Sequence, residues 1–199
     1  MALDETEIIR ARLYGLLGAL LAAPPEDDLL FRVGSIEGAD GPLGTALADL
    51  AAAARATSAS DVQREYGALF IGVVRGELVP YASYYLTGFL HEKPLARLRQ
   101  DMAALGIARA DKNPDPEDHA GSLCEMMAGL IVGAFGGSDA VASPLLLQRT
   151  FFERHLLPWV GQFFTDLELA ASASFYKAVG ATGRLFIDVE ENAFALAAA

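Results

Sequence analysis

Apolar residues recur every three to four positions along nearly the whole chain, and alternating stretches flanked by hairpin dipeptides are scarce, so the pattern predicts an all-α fold. Ile9, Leu13, Leu16, Leu17 and Leu20 form one stripe on a first helix that Asp4 and Glu7 cap and that Pro24-Pro25 stop. A short helix over 27–33 and a glycine-rich loop over 34–44 lead to an alanine-rich helix carrying Leu43, Leu47 and Leu50. Ser60 followed by Gln63 resembles a capping box, after which Val62, Tyr66, Leu69 and Phe70 share a face.

From 71 to 81 the periodicity fails. Gly72, Gly76 and Pro80 predict an ordered turn that delivers an aromatic group, Tyr81, Tyr84 and Tyr85. Pro94 opens a helix with the stripe Leu95, Leu98, Met102 and Leu105, ended by Gly106. After a polar connector over 108–114, Asp115-Pro116-Glu117-Asp118 reads as N-cap, proline at N1 and two acids in a first turn. That helix would carry His119, Leu123, Met126, Met127 and Leu130 and end near Gly136-Gly137. Ser143-Pro144 opens the next, Pro158 interrupts it, and Trp159, Phe163 and Leu167 continue its apolar stripe as core. A last amphipathic helix is expected after Gly180. There is no repeat and no long linker, so residues 1–199 are expected to form a single all-helical domain.

A chain of 199 residues can bury one sizeable core without staples. Cys124, the only cysteine, excludes an internal disulfide and a multi-cysteine zinc site, which fits a reducing cytoplasm. Net charge is −11, with no basic cluster to offset it, so nucleic acid and anionic membranes are poor partners and a basic peptide is a good one. Mean hydropathy is +0.30. Uncharged stretches such as 13–25 and 126–138 nevertheless hold only 13 residues each, short of the ~20 a membrane span needs. Asp4, Glu5 and Glu7 stand where an export signal would be positive, so a cytoplasmic protein is expected.

Enzymatic apparatus is hard to find. No Glu-x-x-His pair suits a di-iron centre, His91-Glu92 lacks a second histidine, and no glycine-rich phosphate loop is present. Cys124 falls on an apolar helical face, where a thiol is inert. No catalytic residue or metal ligand is assigned. More informative are residues 80–85 and 115–123. Read by themselves, Asp118 is a capping carboxylate and His119 a packed histidine with a local partner.

Pro116-Glu117-Asp118-His119 followed by Gly121-Ser122-Leu123 resembles the signature of the TorD/DmsD/NarJ family of cytoplasmic molybdoenzyme chaperones. Pro80-Tyr81 with Ser83 and Tyr85 resembles that family's proline-aromatic-x-serine-x-aromatic turn. Glu65-Tyr66 with Leu69-Phe70-x-Gly72, and His155-Leu156-x-Pro158-Trp159, complete four motifs in family order over about residues 60–165. The resemblance implies an all-helical, non-catalytic chaperone that binds the twin-arginine leader, and sometimes the apo-form body, of a molybdopterin oxidoreductase of the DMSO/TMAO reductase or formate dehydrogenase type. Tyr81, Ser83, Tyr85, Pro116, Asp118 and His119 are the leader-binding positions it implies. Asp118 would pair with a leader arginine, Tyr81 and Tyr85 would hold apolar residues or stack on guanidinium, and His119 would orient Asp118 or donate to a peptide carbonyl. Some relatives are associated with GTP, although this sequence offers no phosphate cradle; otherwise no cofactor is expected. Tyrosines stand where some members have tryptophan, and 86–93 match no family pattern, which leaves the client open. Three alternative functions stand beside leader binding: a NarJ-like chaperone for a non-exported reductase, a nucleotide-binding protein, and a helical adaptor. The loop over 71–81 allows a monomer or a segment-swapped dimer.

Overall fold

Ten α-helices and two π-helical turns make up the regular structure of residues 3–72, 75–109, 115–135 and 144–197, which the computed structural model describes. In chain order they are α1 (Glu5–Ala22), α2 (Asp27–Gly34), α3 (Pro42–Arg55), α4 (Ala59–Tyr66), α5 (Ala82–Thr87) and α6 (Lys93–Leu105). There follow α7 (Ala120–Val132), α8 (Pro144–Phe151), α9 (Val160–Leu169) and α10 (Phe175–Leu196). The π-turns span Gly67–Ile71 and Phe152–Leu156. The described residues contain no strand, only an isolated bridge between Tyr81 and His119. The all-α expectation is met.

Local chemistry accounts for several boundaries. Asp4 and Glu7 cap α1 reciprocally: the Glu7 amide donates to the Asp4 carboxylate at 2.7 Å and the Asp4 amide to that of Glu7 at 3.2 Å. Helix α6 has its proline in the first turn and Gly106 at φ 69°, a left-handed stop that glycine takes without strain. Other boundaries differ from the sequence reading. Ser58, rather than Ser60, caps α4 by accepting from the Asp61 amide. Helix α7 begins at Ala120, five residues after Asp115, and stops at Gly133; Gly136 and Gly137 lie outside the described residues, as does Ser143. Pro158 falls in a turn over 157–159, between the second π-turn and α9.

The chain divides into two compact units. The first comprises Met1–Ala22 and Pro80–Trp159. Its central pairing sets α1 against α7, where Gly18 and Gly121 bring the backbones together: a Cβ on Gly121 would stand 3.1 Å from the Gly18 carbonyl oxygen. That crossing fixes the inner face of α1 as Ala11, Tyr14, Leu17, Gly18 and Leu21, and leaves Ile9, expected inside, 49% exposed.

The second unit comprises Ala23–Val79 and Val160–Ala199. Helix α10 packs on α9 and α3 here. It starts at Phe175, ahead of Gly180, because Gly180 and Gly183 are contact positions within it. A Cβ on Gly183 would meet the Phe164 ring at 2.3 Å, and one on Gly180 the Glu168 amide nitrogen at 2.5 Å. Glycine in a helix interior costs about 1 kcal/mol, which close packing of α9 on α10 offsets.

Candidate functional site

Two motifs some 35 positions apart are bound together in the first unit. The Ala120 amide donates to the Pro80 carbonyl at 2.8 Å and the Ala82 amide to the Asp118 carbonyl at 3.0 Å, forming the Tyr81–His119 bridge. The Tyr81 hydroxyl donates to the Asp115 carboxylate at 3.2 Å, and the Tyr81 and His119 rings meet edge to face at 5.0 Å. Pro116 supplies the carbonyl that accepts the His119 amide, closing a turn.

Asp118 lies at the centre of this junction with no exposed surface. Its Oδ2 accepts from the Ser83 amide at 2.7 Å, capping α5 from across the bridge, while the buried Oδ1 has no hydrogen-bond partner. The Ser83 hydroxyl is likewise buried and unpartnered. An unmatched buried carboxylate oxygen is costly.

His119 occupies the N-cap of α7, its Nδ1 accepting from the Gly121 amide at 3.1 Å. That bond requires the neutral ring with its proton on Nε2. Burial pushes the imidazole pKa down to about 4, against the opposing charges of Asp115 and Asp118. Glu117 receives two hydrogen bonds from the Arg99 guanidinium, at 2.8 and 3.0 Å, with Arg109 at 3.7 Å. Burial raises its carboxyl pKa, but the Arg99 bonds and the charges of both arginines outweigh burial and hold it below the usual range. Three of the four residues expected to open a helix, Asp115, Glu117 and Asp118, are thus held by long-range partners instead, and the helix starts only after His119.

Beside Asp118 opens a pocket of about 270 Å³. Leu86, Pro94, Leu98 and Leu123 give it apolar walls, and Asp118, Arg97, Arg154 and His155 its polar groups. Arg154 and His155 arrive on the second π-turn and share Asp101: Arg154 donates to its Oδ1 at 3.0 Å, and His155 Nε2 lies 2.7 Å from its Oδ2. Burial lowers the His155 pKa despite that carboxylate. Tyr85 packs on Trp159 with ring centres 5.3 Å apart, and the indole donates to the His155 carbonyl at 2.8 Å. Of the six residues singled out from the sequence, Asp118 lines the pocket; Tyr81, Ser83, Pro116 and His119 belong to the junction that holds Asp118, and Tyr85 packs on Trp159.

Sequence reasoning passed over Arg97, Arg154 and an exposed apolar group that begins at the pocket-lining Leu86. Leu86, Phe89 and Leu90 are 44%, 70% and 42% exposed on and just after α5. The signal was present: three large apolar residues at the end of a six-residue helix have little surface to bury against. Among the described residues, no helix is long and apolar enough to cross a membrane, and no group of three His, Cys, Asp or Glu side chains is placed to hold a metal.

Residues 37–165 match the family described as nitrate reductase delta subunit. The chain belongs to that family. Its relatives include the chaperone protein TorD of Vibrio cholerae, 28% identical over 145 residues that span 69% of this chain and 66% of that protein. The TorD of Vibrio atlanticus is 26% identical over 187 residues, covering 85% and 87% of the two chains. The TorD/DmsD/NarJ resemblance read from four short motifs is therefore borne out across most of the chain. A candidate redox enzyme maturation protein from Archaeoglobus fulgidus shares the fold, with a TM-score of 0.55 at 18% identity over 90% of this chain and 93% of that one.

Proposed function

We propose that this TorD-family chain is a cytoplasmic chaperone that binds the twin-arginine leader of a molybdopterin oxidoreductase and delays its export until the cofactor is inserted. The half-satisfied carboxylate of Asp118, at a pocket that the exposed Leu86 also lines, carries this reading. A leader arginine would complete the Oδ1 hydrogen bond with charge assistance, and the apolar stretch of the leader would cover Leu86, Phe89 and Leu90. The net charge of −11 would draw a basic leader in. Nothing here calls for a nucleotide, so titration with GTP and magnesium should be flat.

The test is calorimetric titration with synthetic leaders of every molybdopterin oxidoreductase in the source organism, each as Arg-Arg and as Lys-Lys. Saturable binding of one Arg-Arg leader, weakened by Lys-Lys and by Asp118→Asn, is expected. Binding of none would overturn the reading. The match to the nitrate reductase delta subunit family favours a second reading, service to a non-exported reductase; under it, the terminus of that reductase would bind with no arginine pair.

A further inference from the structure

The pocket beside Asp118 has an inner and an outer end of opposite charge. Asp118 is fully buried and its Oδ1 unpartnered, whereas Arg97, which also lines the pocket, is exposed. Arg154 is committed to Asp101, as is His155. Arg97 has no hydrogen bond or ion pair among the described residues. One acceptor therefore waits inside and one uncompensated cation stands outside. At about 270 Å³ the space falls below the ~300 Å³ at which pockets begin to take drug-sized ligands, so it suits a single side chain.

Resting on the leader-binding reading above, we infer that the pocket admits one arginine of the leader pair and that Arg97 turns the other away. A guanidinium sheds water more readily than an ammonium and presents flat donors to a buried acceptor, so the inner end selects arginine over lysine. With that charge seated, a second arginine beside it meets Arg97 with no free carboxylate among the lining residues to offset the repulsion. The two arginines of the leader are then unequal: the inner one is bound, and the outer one is tolerated at the rim.

The experiment is titration of three peptides, Arg-Arg, Gln-Arg and Arg-Gln, into wild type, Arg97→Glu and, as a control for net charge, Arg12→Glu on α1. In wild type, removing one arginine should weaken binding by about tenfold or more, and removing the other should leave affinity unchanged or raise it. In Arg97→Glu the tolerant position should become costly, by about fivefold, because the outer arginine gains a partner; Arg12→Glu should keep the wild-type pattern. Equal losses at both positions, or a pattern that Arg97→Glu leaves unchanged, would overturn the inference while leader binding stands. Failure of all three peptides to bind wild type would overturn the leader reading, and this inference with it.

Discussion

The two units hold loops in place with carboxylates, and they use them differently. In the second unit Glu65 accepts three backbone amides, from Ser174, Phe175 and Tyr176 at 2.7 to 3.1 Å, across more than a hundred residues of sequence. Glu77 accepts the Ala171 and Ser172 amides with one oxygen each. Hydrogen bonding from Ser172, joined by Ala171, outweighs the slight burial of Glu77 and holds its carboxyl below the usual range. Both carboxylates are fully used, in anchoring the approach to α10. In the first unit Asp118 is more deeply buried than either, yet spends only one oxygen on the fold. A saturated carboxylate is explained by the architecture alone. A buried one left half empty is not explained by the architecture, and under the proposed reading a leader arginine completes it.

The largest effect expected is one of pH. His119 titrates near 4 in the fold against about 6.5 in an unfolded chain, so the unfolded state takes up a proton first as pH falls. Stability is full above pH 6.5 and should fall by about 3 kcal/mol on the way to pH 4. His119→Asn retains an N-cap acceptor and should flatten that slope in urea titrations. It should not abolish it, since His155 is lowered in the same sense. An unchanged slope would show that His119 is not held neutral beside Asp118. Next, Glu65→Ala strands three amides at about 1 kcal/mol each and should lower stability by about 2 to 3 kcal/mol, measured by chemical denaturation.

Asp118→Asn should do the opposite. It keeps an oxygen for the Ser83 amide and removes a buried charge, so stability should hold or rise while leader affinity drops by about 1 to 3 kcal/mol. A loss of stability as large as that of Glu65→Ala would erase the contrast between the two kinds of carboxylate. The smallest effect expected is that of Glu77→Ala, exposed and bonded to two loop amides, at about 1 kcal/mol of stability with leader binding intact.

What was legible in the sequence was what neighbouring residues decide. The reciprocal cap of Asp4 and Glu7 and the left-handed stop at Gly106 depend on groups within a turn of one another. Where local and distant partners compete, the local reading failed. Asp115-Pro116-Glu117-Asp118 is a sound helix opening, but Tyr81, Arg99 and the Ser83 amide claim its carboxylates. Gly180 suggests a helix boundary and is instead a surface on which another helix rests. The family motifs located Asp118 but gave it no geometry. Arg97 and Arg154 carry no local mark at all, because their place at the pocket depends on how α6, α7 and the 152–156 turn converge.

The close crossing of α1 on α7 has a consequence for how the protein is made. Helix α1 leaves the ribosome before α7, with the Tyr14, Leu17 and Leu21 face that α7 will cover. Its partner begins only at Ala120, roughly a hundred residues later. At translation rates of about 5 to 20 residues per second, that face waits on the order of 5 to 20 s for its cover. A chain stalled before Ala120 would hold a nascent amphipathic helix without the partner that covers it, so a protein of this design shows, while it is being made, the kind of surface a chaperone covers.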